Sequence, residues 1–258
     1  MISRQKIDFI HGLARKKERE MAGCFVAEGE KLVFDLLRTT LNLREIYYTQ
    51  EGLSSIQSKR MKVEAIPVSE KEMERISAFK NPSSILALFE SPTYQEVESP
   101  SFDGLNLVLD GLQDPGNLGT IIRLADWFGI GQIFCSENCV DNYNPKCIQS
   151  TMGAIARVRV HYLDLTKLLK EAVGQNIAIY GTYMEGENVF ETELSANALI
   201  VMGNEGKGIS PELEGYLTKK ISIPSYPAGH RELESLNVAV SAAIICAEFR
   251  RKMNREGV

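Results

Sequence analysis

Residues Leu107–Gly129 read LVLDGLQDPGNLGTIIRLADWFG. LVLD is a short apolar run ending in an acid, the pattern of a buried strand. GLQDPGNLG is dense in Gly, Asn, Asp and Pro and reads as a loop. TIIRLADWFG has apolar residues at helical spacing (Ile121, Ile122, Leu124, Ala125, Phe128) and closes on a glycine. Strand, polar loop and helix in that order are how α/β proteins place ligands at the carboxyl ends of their strands. Arg123 stands among apolar neighbours in the helix. Spacing alone favours a surface residue.

Outward from that stretch the chain alternates. Towards the C-terminus the strands are LNLVLD, GQIFCS, ARVRVHYL, IAIYGTYM, ALIVMGN and KKISIP. The spacing predicts helices over 117–128, 145–153, 164–173, 211–217 and 235–252. Such alternation implies a mostly parallel sheet with helices on its faces. Towards the N-terminus, residues 2–17 read as one helix with Ile2, Ile7, Ile10 and Leu13 inward. CFVAEG, REIYYT, KVEAIP and ILALFE follow as strands, with EKLVFDLLRT and SEKEMERISAF as helices. That is a second α/β unit, large enough for its own core. The organisation expected is therefore a first domain over 1–92, a Pro- and Ser-bearing linker over 93–104, and a second domain over 105–258.

Composition narrows the function. The chain has 258 residues and a formal net charge of −5, too acidic for a general nucleic-acid coat. Charge is nevertheless uneven. Residues 1–20 carry Arg4, Lys6, Arg15, Lys16, Lys17 and Arg19 against Asp8, Glu18 and Glu20. No apolar run approaches the roughly 20 residues that a membrane helix needs. The five cysteines (Cys24, Cys135, Cys139, Cys147, Cys246) fit no zinc spacing, so no metal is expected. Buried free thiols in a reducing cytoplasm account for them.

Three loops after predicted strands collect the remaining polar residues: Gln113–Gly119, Met202–Ser210 (MGNEGKGIS) and Pro224–Asn237 (PSYPAGHRELESLN). In a parallel sheet all three can share the carboxyl edge. The second is not a phosphate loop, because GxxxxGK[ST] is unmatched. The GxG of GIGQIF precedes a strand, the reverse of the dinucleotide fingerprint.

Each residue here has a plain structural reading. Asn117 or Ser235 can cap a helix, with Asn237 in the first turn. Glu205 can be solvated in a turn. Gly203, Gly206 and Gly208 can serve turn geometry. Ile223 and Leu236 read as core.

Taken together, DPGNLGTIIRLAD, IVMGNEGKGIS and ISIPSYPAGHRELESLNVAVSAAI resemble the three successive motifs of the SpoU (TrmH-like) family, RNA ribose 2′-O-methyltransferases of the SPOUT superfamily. RKKEREMAGCFVAEGEKLVFDLL resembles the ribosomal-protein-like RNA-binding domain, an αβα sandwich, often fused ahead of it. The resemblance implies a deep trefoil knot in the C-terminal domain, a homodimer with each site completed across the interface, and S-adenosylmethionine as methyl donor. It implies catalytic or site-shaping roles for Asn117, Arg123, Glu205, Ser235 and Asn237. It assigns the donor to Thr182, Gly203, Ile223 and Leu236. Ribosomal RNA is the substrate it favours; transfer RNA, or a non-catalytic RNA-binding protein that keeps the fold, are the alternatives. The basic residues of 4–19 would hold phosphates. Departures from the family pattern are Leu124 and Trp127 in LADWFG, Ala239, and a long SYPAGHREL linker that bears on substrate choice.

Overall fold

The computed structural model describes residues 2–58, 64–92, 100–226 and 235–253. Residues 93–99 of the expected linker, the start of KVEAIP and most of SYPAGHREL lie outside them. The chain forms two compact units, residues 1–96 with 141–156, and residues 97–140 with 157–258.

In the first unit, α1 (Arg4–Gly12) and α2 (Lys16–Ala22) replace the single helix read over 2–17. The break has a cause. Leu13 and Ala14 turn back onto Ile10 and His11 carbonyls, and the Arg19 guanidinium bonds the Leu13 carbonyl at 2.7 Å. β1 (Cys24–Glu28), α3 (Glu30–Leu36), β2 (Leu43–Tyr48), α4 (Leu53–Gln57), β3 (Ala65–Pro67), α5 (Glu70–Ile76) and β4 (Ile85–Glu90) follow. The sheet order is β1-β4-β2-β3. Ile7, Ile10, Met73 and Ile76 pack on Val26, Leu86 and Leu88 on one face.

The other face carries α3 and a segment from much later in the chain. That segment, 141–156, holds α7 (Pro145–Thr151) and a 3-10 turn. Tyr143 stacks on Phe25 of β1 with ring centroids 4.9 Å apart. Sequence order alone places this segment in the second unit. The αβα sandwich is thus completed by an excursion from the later half.

In the second unit, β5 (Leu105–Leu109), α6 (Pro115–Trp127), β6 (Gln132–Cys135), β7 (Arg159–Tyr162), α8 (Leu165–Gly174), β8 (Ala178–Asn188), β9 (Ala198–Met202), α9 (Pro211–Glu214), β10 (Lys219–Ser222) and α10 (Val238–Met253) build an α/β layer. The six strands are all parallel, in order β10-β8-β9-β5-β6-β7. β5 and β9 are buried along their whole length, as parallel strands covered on both faces must be. Leu165, Leu168, Leu169 and Leu213 from α8 and α9 cover one face with Val108, Phe134, Leu199 and Val201. α6 and α10 cover the other. Phe102 is buried in the first of these clusters, so the described end of the expected linker is fixed to this unit.

α6 and α10 pack in parallel and are joined at both ends. Arg250 Nε donates to the Phe128 carbonyl at 2.7 Å, satisfying an orphan acceptor at the end of α6. Asn237, at the start of α10, meets α6 near its first turn. No helix among the described residues is long and apolar enough to cross a membrane.

Candidate functional site

Strand order fixes where a ligand can sit. From β5 the chain steps outward to β6 and β7, then crosses to β8, β9 and β10 on the other side. β5 and β9 are therefore the neighbours at which direction reverses, and the crevice beyond their carboxyl ends is the expected binding position. Asn117 stands in the first turn of α6, just beyond the loop after β5, and the loop after β9 holds Glu205.

These loops are hydrogen-bonded to each other and to the third. Asn117 Nδ2 donates to Glu205 Oε1 at 3.0 Å. Asn237 Nδ2 donates to Asn117 Oδ1, also at 3.0 Å. The amide of Asn117 is thus used on both sides, which fixes its orientation. Three of the five catalytic candidates form one connected set. It is exposed or half-buried, so a ligand can reach it.

The helix caps resolve two open readings. Asp114, not Asn117, caps α6: its carboxylate accepts from the Asn117 backbone N–H at 2.7 Å. Asn237, not Ser235, caps α10, with Oδ1 accepting from the Ala239 and Val240 N–H groups. The same Asn237 side chain thus serves the helix with its oxygen and the site with its nitrogen.

Arg123 and Ser235 do not join the set. Both are exposed, and neither side chain forms a hydrogen bond or ion pair with a described residue. Arg123 lies six residues beyond Asn117, about 9 Å along α6 and on another face of it. One turn further on the Arg123 face is Trp127, which is 83% exposed.

The positions read as donor contacts surround the same edge. Thr182 is half-buried where β8 leaves its regular pairing with β10; Gly181 faces Lys220 but the next paired residue is Glu187. Tyr183 and Lys220 both bond Glu214, at 3.0 and 2.9 Å, which fastens this irregular stretch to α9. Burial and the Glu214 carboxylate push the Tyr183 phenol up to about 12. Gly203 admits no Cβ, because the Gly208–Ile209 backbone would stand 2.1–2.4 Å from it. Its need for glycine is met by the turn itself. Ile223 is half-buried and Leu236 is 47% exposed, so neither is the core residue expected. Each lies outside the helices and strands of the described residues.

Sequence reasoning missed Asn204, Asp110 and Cys139. Asp110 is 6% exposed; its N–H donates to the Met202 carbonyl and its carboxylate accepts from the Ser210 N–H at 2.7 Å. Cys139 accepts from the Leu112 N–H at 3.2 Å, bracing the first loop from below. Its hydrogen bond with Cys135, aided by Ser136 and by the Leu112 and Gly111 N–H groups, pulls the thiol down to about 6 against the effect of burial. The acid closing LVLD was the available signal for Asp110. Cys139 carried none.

Residues 104–247 match the model of the SpoU rRNA Methylase family, and residues 4–87 match an MRM3-like substrate binding domain. The chain is 29% identical over 249 residues to the 23S rRNA (guanosine(2553)-2′-O)-methyltransferase RlmP of Bacillus subtilis, covering 95% of this chain and 96% of that protein. It is 27% identical to the human mitochondrial rRNA methyltransferase 3, over 91% of this chain and 69% of the relative. Among solved structures, a TrmH-family protein from Porphyromonas gingivalis superposes with a TM-score of 0.84 at 36% identity, covering 98% and 99% of the two chains. An AdoMet-bound rRNA methyltransferase from Sinorhizobium meliloti superposes with a TM-score of 0.83 at 25% identity, covering 98% and 97%.

Proposed function

The chain belongs to the SpoU rRNA methylase family, and from that premise we propose an S-adenosylmethionine-dependent transfer of a methyl group to a ribose 2′-hydroxyl in ribosomal RNA. The observation that carries this reading is the Asn237–Asn117–Glu205 set, which joins three loops at the switch point of the sheet. The donor-site residues fit. Leu236 and Ile223 leave apolar surface uncovered beside open loop backbone, as an adenine requires, and Thr182 offers a hydroxyl. When bound, S-adenosylmethionine supplies a methyl group on a sulfonium.

The chain's own residues must hold a ribose in line with that methyl and manage the hydroxyl proton. Orientation alone can contribute on the order of 7–11 kcal/mol. Asn117, fixed on both sides, and Glu205 hold the loops that shape the ribose position, while Ser235 supplies a further hydroxyl. Arg123 is permanently cationic and has a planar donor fork suited to a phosphate. It holds the phosphate beside the target ribose and stabilises the developing alkoxide. The proton leaves through a phosphate oxygen or water.

Arg123 faces away from its own Asn117 set, and Trp127 beside it is exposed. Both features support a homodimer in which Arg123 serves the partner's site. Mixing inactive Arg123→Ala and Asn117→Ala protomers is expected to restore about a quarter of wild-type activity, since half of the dimers hold one complete site. No recovery in fully exchanged mixtures excludes service in trans.

The trefoil knot belongs to this reading on the strength of the motif resemblance, and a cytoplasmic location on that of the five free cysteines. The first unit is the substrate grip. Arg4, Arg15, Lys16 and Lys17 are exposed, the first three in solvent-exposed pairs with Asp8, Glu18 and Glu20 that a phosphate can displace; Lys6 is half-buried on Glu45, and Arg19 is buried and withdrawn from that role.

The test is transfer of labelled methyl from S-adenosylmethionine to ribosomal RNA from a strain lacking the gene, followed by mass-spectrometric mapping. A new 2′-O-methyl nucleotide in 23S or 16S RNA is the expected result. Modification of transfer RNA alone, or donor binding without transfer, overturns the proposal.

A further inference from the structure

The loop after β9 is held along its length by two consecutive residues of the loop after β5. Asp110 takes its two ends: the Asp110 N–H donates to the Met202 carbonyl at the entrance, and the carboxylate accepts from the Ser210 N–H at the exit. Between them Asn204 reaches across. Its Nδ2 donates to the Gly111 carbonyl at 2.7 Å, while its Oδ1 accepts from the Gly206 and Lys207 N–H groups, each at 3.0 Å. Glu205 is enclosed by these bonds. Its preceding residue is tied to the first loop and the two that follow are tied to Asn204.

Gly111 is built to receive this contact. Its φ of +68° is a left-handed conformation that costs glycine nothing. Its N–H is held by Ser136 Oγ at 2.8 Å, so its carbonyl is fixed towards the second loop. Glu205 itself is exposed and accepts a single bond among the described residues, from Asn117. An exposed carboxylate on a glycine-flanked turn has rotamer and backbone freedom to lose. Something must remove it if the Asn117 bond is to persist.

We infer that Asn204 is the positioning residue for Glu205: its amide bridges the Gly111 carbonyl and the Gly206–Lys207 turn, and so sets the register between the first and second loops. This rests on the methyl-transfer reading of the site. It differs from the roles given to Asn117, Glu205 and Asn237, because Asn204 touches neither a ligand position nor Asn117.

Asn204→Asp separates the two halves of the bridge. The acid keeps an acceptor for Gly206 and Lys207 but presents an oxygen to the Gly111 carbonyl. Asn204→Ala removes both halves. Loss of one well-formed hydrogen bond that orders a reacting geometry is expected to lower kcat about tenfold in Asn204→Asp and further in Asn204→Ala, with KM for RNA and the thermal midpoint little changed in the former. The decisive measurement is a double-mutant cycle with Glu205→Gln. A residue acting through Glu205 loses its effect when Glu205 is already disabled, so Asn204→Asp is expected to change the residual rate of Glu205→Gln by less than twofold.

Wild-type kcat in Asn204→Asp overturns the inference, as does an undiminished tenfold loss in the Glu205→Gln background. An Asn204→Asp chain whose midpoint collapses together with its activity shows a structural role only and overturns it equally. Failure of the underlying reading is distinct: there the wild-type chain transfers no methyl group to the same ribosomal RNA.

Discussion

Arg19 in the first unit is 4% exposed and spends its donors on Asp141 and on the Leu13 carbonyl. Arg123 in the second unit is exposed on α6 and bonds no described residue. The carboxylates divide in the same way. Glu28 is 2% exposed and accepts from Ser77 and from the Ser83 N–H, whereas Glu205 is exposed with one bond from Asn117. A polar side chain committed to the fold is buried and saturated, because an unsatisfied buried group is costly. One committed to a ligand keeps unused donors or acceptors where the ligand can reach. Residue type does not distinguish the two; the number of bonds already made does.

The contrast breaks most visibly at Arg19. Arg19→Ala removes the ion-pair partner of Asp141, whose side chain is 14% exposed, and a loss of about 3 kcal/mol of stability is expected. Methyl transfer per folded molecule should stay near wild type. A denaturant titration showing less than about 1 kcal/mol of loss would place Arg19 with the exposed arginines instead.

Arg123→Lys should show the reverse. Charge is kept and the planar fork is lost, so activity falls about 100-fold with no change in thermal midpoint. Near-normal turnover would remove Arg123 from the site.

Asn237 sharpens the comparison, since one amide belongs to both classes. Asn237→Asp keeps the oxygen that caps α10 and loses the donor to Asn117. Its midpoint should hold while activity drops about tenfold. Asn237→Ala should lose both, with about 1 kcal/mol of stability from the missing cap. Equal activity in the two variants, both near wild type, would make the Asn237–Asn117 bond structural only.

The smallest effect is a pH dependence at Glu28. Burial lifts its carboxyl above the ordinary value of 4.5, and the bonds from Ser83, Ser77 and Ala78 only partly offset this. Below about pH 4.5 both folded and unfolded chains hold the proton. As pH rises from there, the unfolded chain releases it first, so stability falls until the folded carboxyl also ionises. Glu28→Gln should abolish that decline, read as the difference in thermal midpoint between the two chains across the acid range. Parallel midpoints at every pH would refute it.

How much of this was readable in the chain follows from the range of the forces involved. Strands such as ILALFE and LNLVL announce themselves by apolar runs, and each expected strand has its counterpart, most of them shortened, ILALFE unchanged and IAIYGTYM extended to Asn188. Asn117, Glu205 and Asn237 came from motif order, and the structure joins them although they are 88 and 120 residues apart. What could not be read depended on distant partners. The break after Gly12 needs Arg19 turned back on Leu13 and held by Asp141. The place of 141–156 needs Phe25 to receive Tyr143. Leu236 looked like core because hydrophobicity says what a side chain prefers, not what the chain covers. Asn204 stood inside the quoted GNEG motif, but only its three bonds separate it from an ordinary turn asparagine.

The join between α6 and α10 also has a meaning in time. Asn237 holds one end of α6 and Arg250 the other. At about 5–20 residues per second, roughly 6 to 24 s separate synthesis of Asn117 from that of Asn237. Glu205, 88 residues after Asn117, is made in the last part of that interval, and until Asn237 follows it the amide of Asn117 lacks its second restraint. A nascent chain therefore carries the methyl-transfer motifs without the assembled geometry. The geometry therefore assembles only once α10 docks, and the last restraint on the Asn117 amide is also the last part of the set to be made.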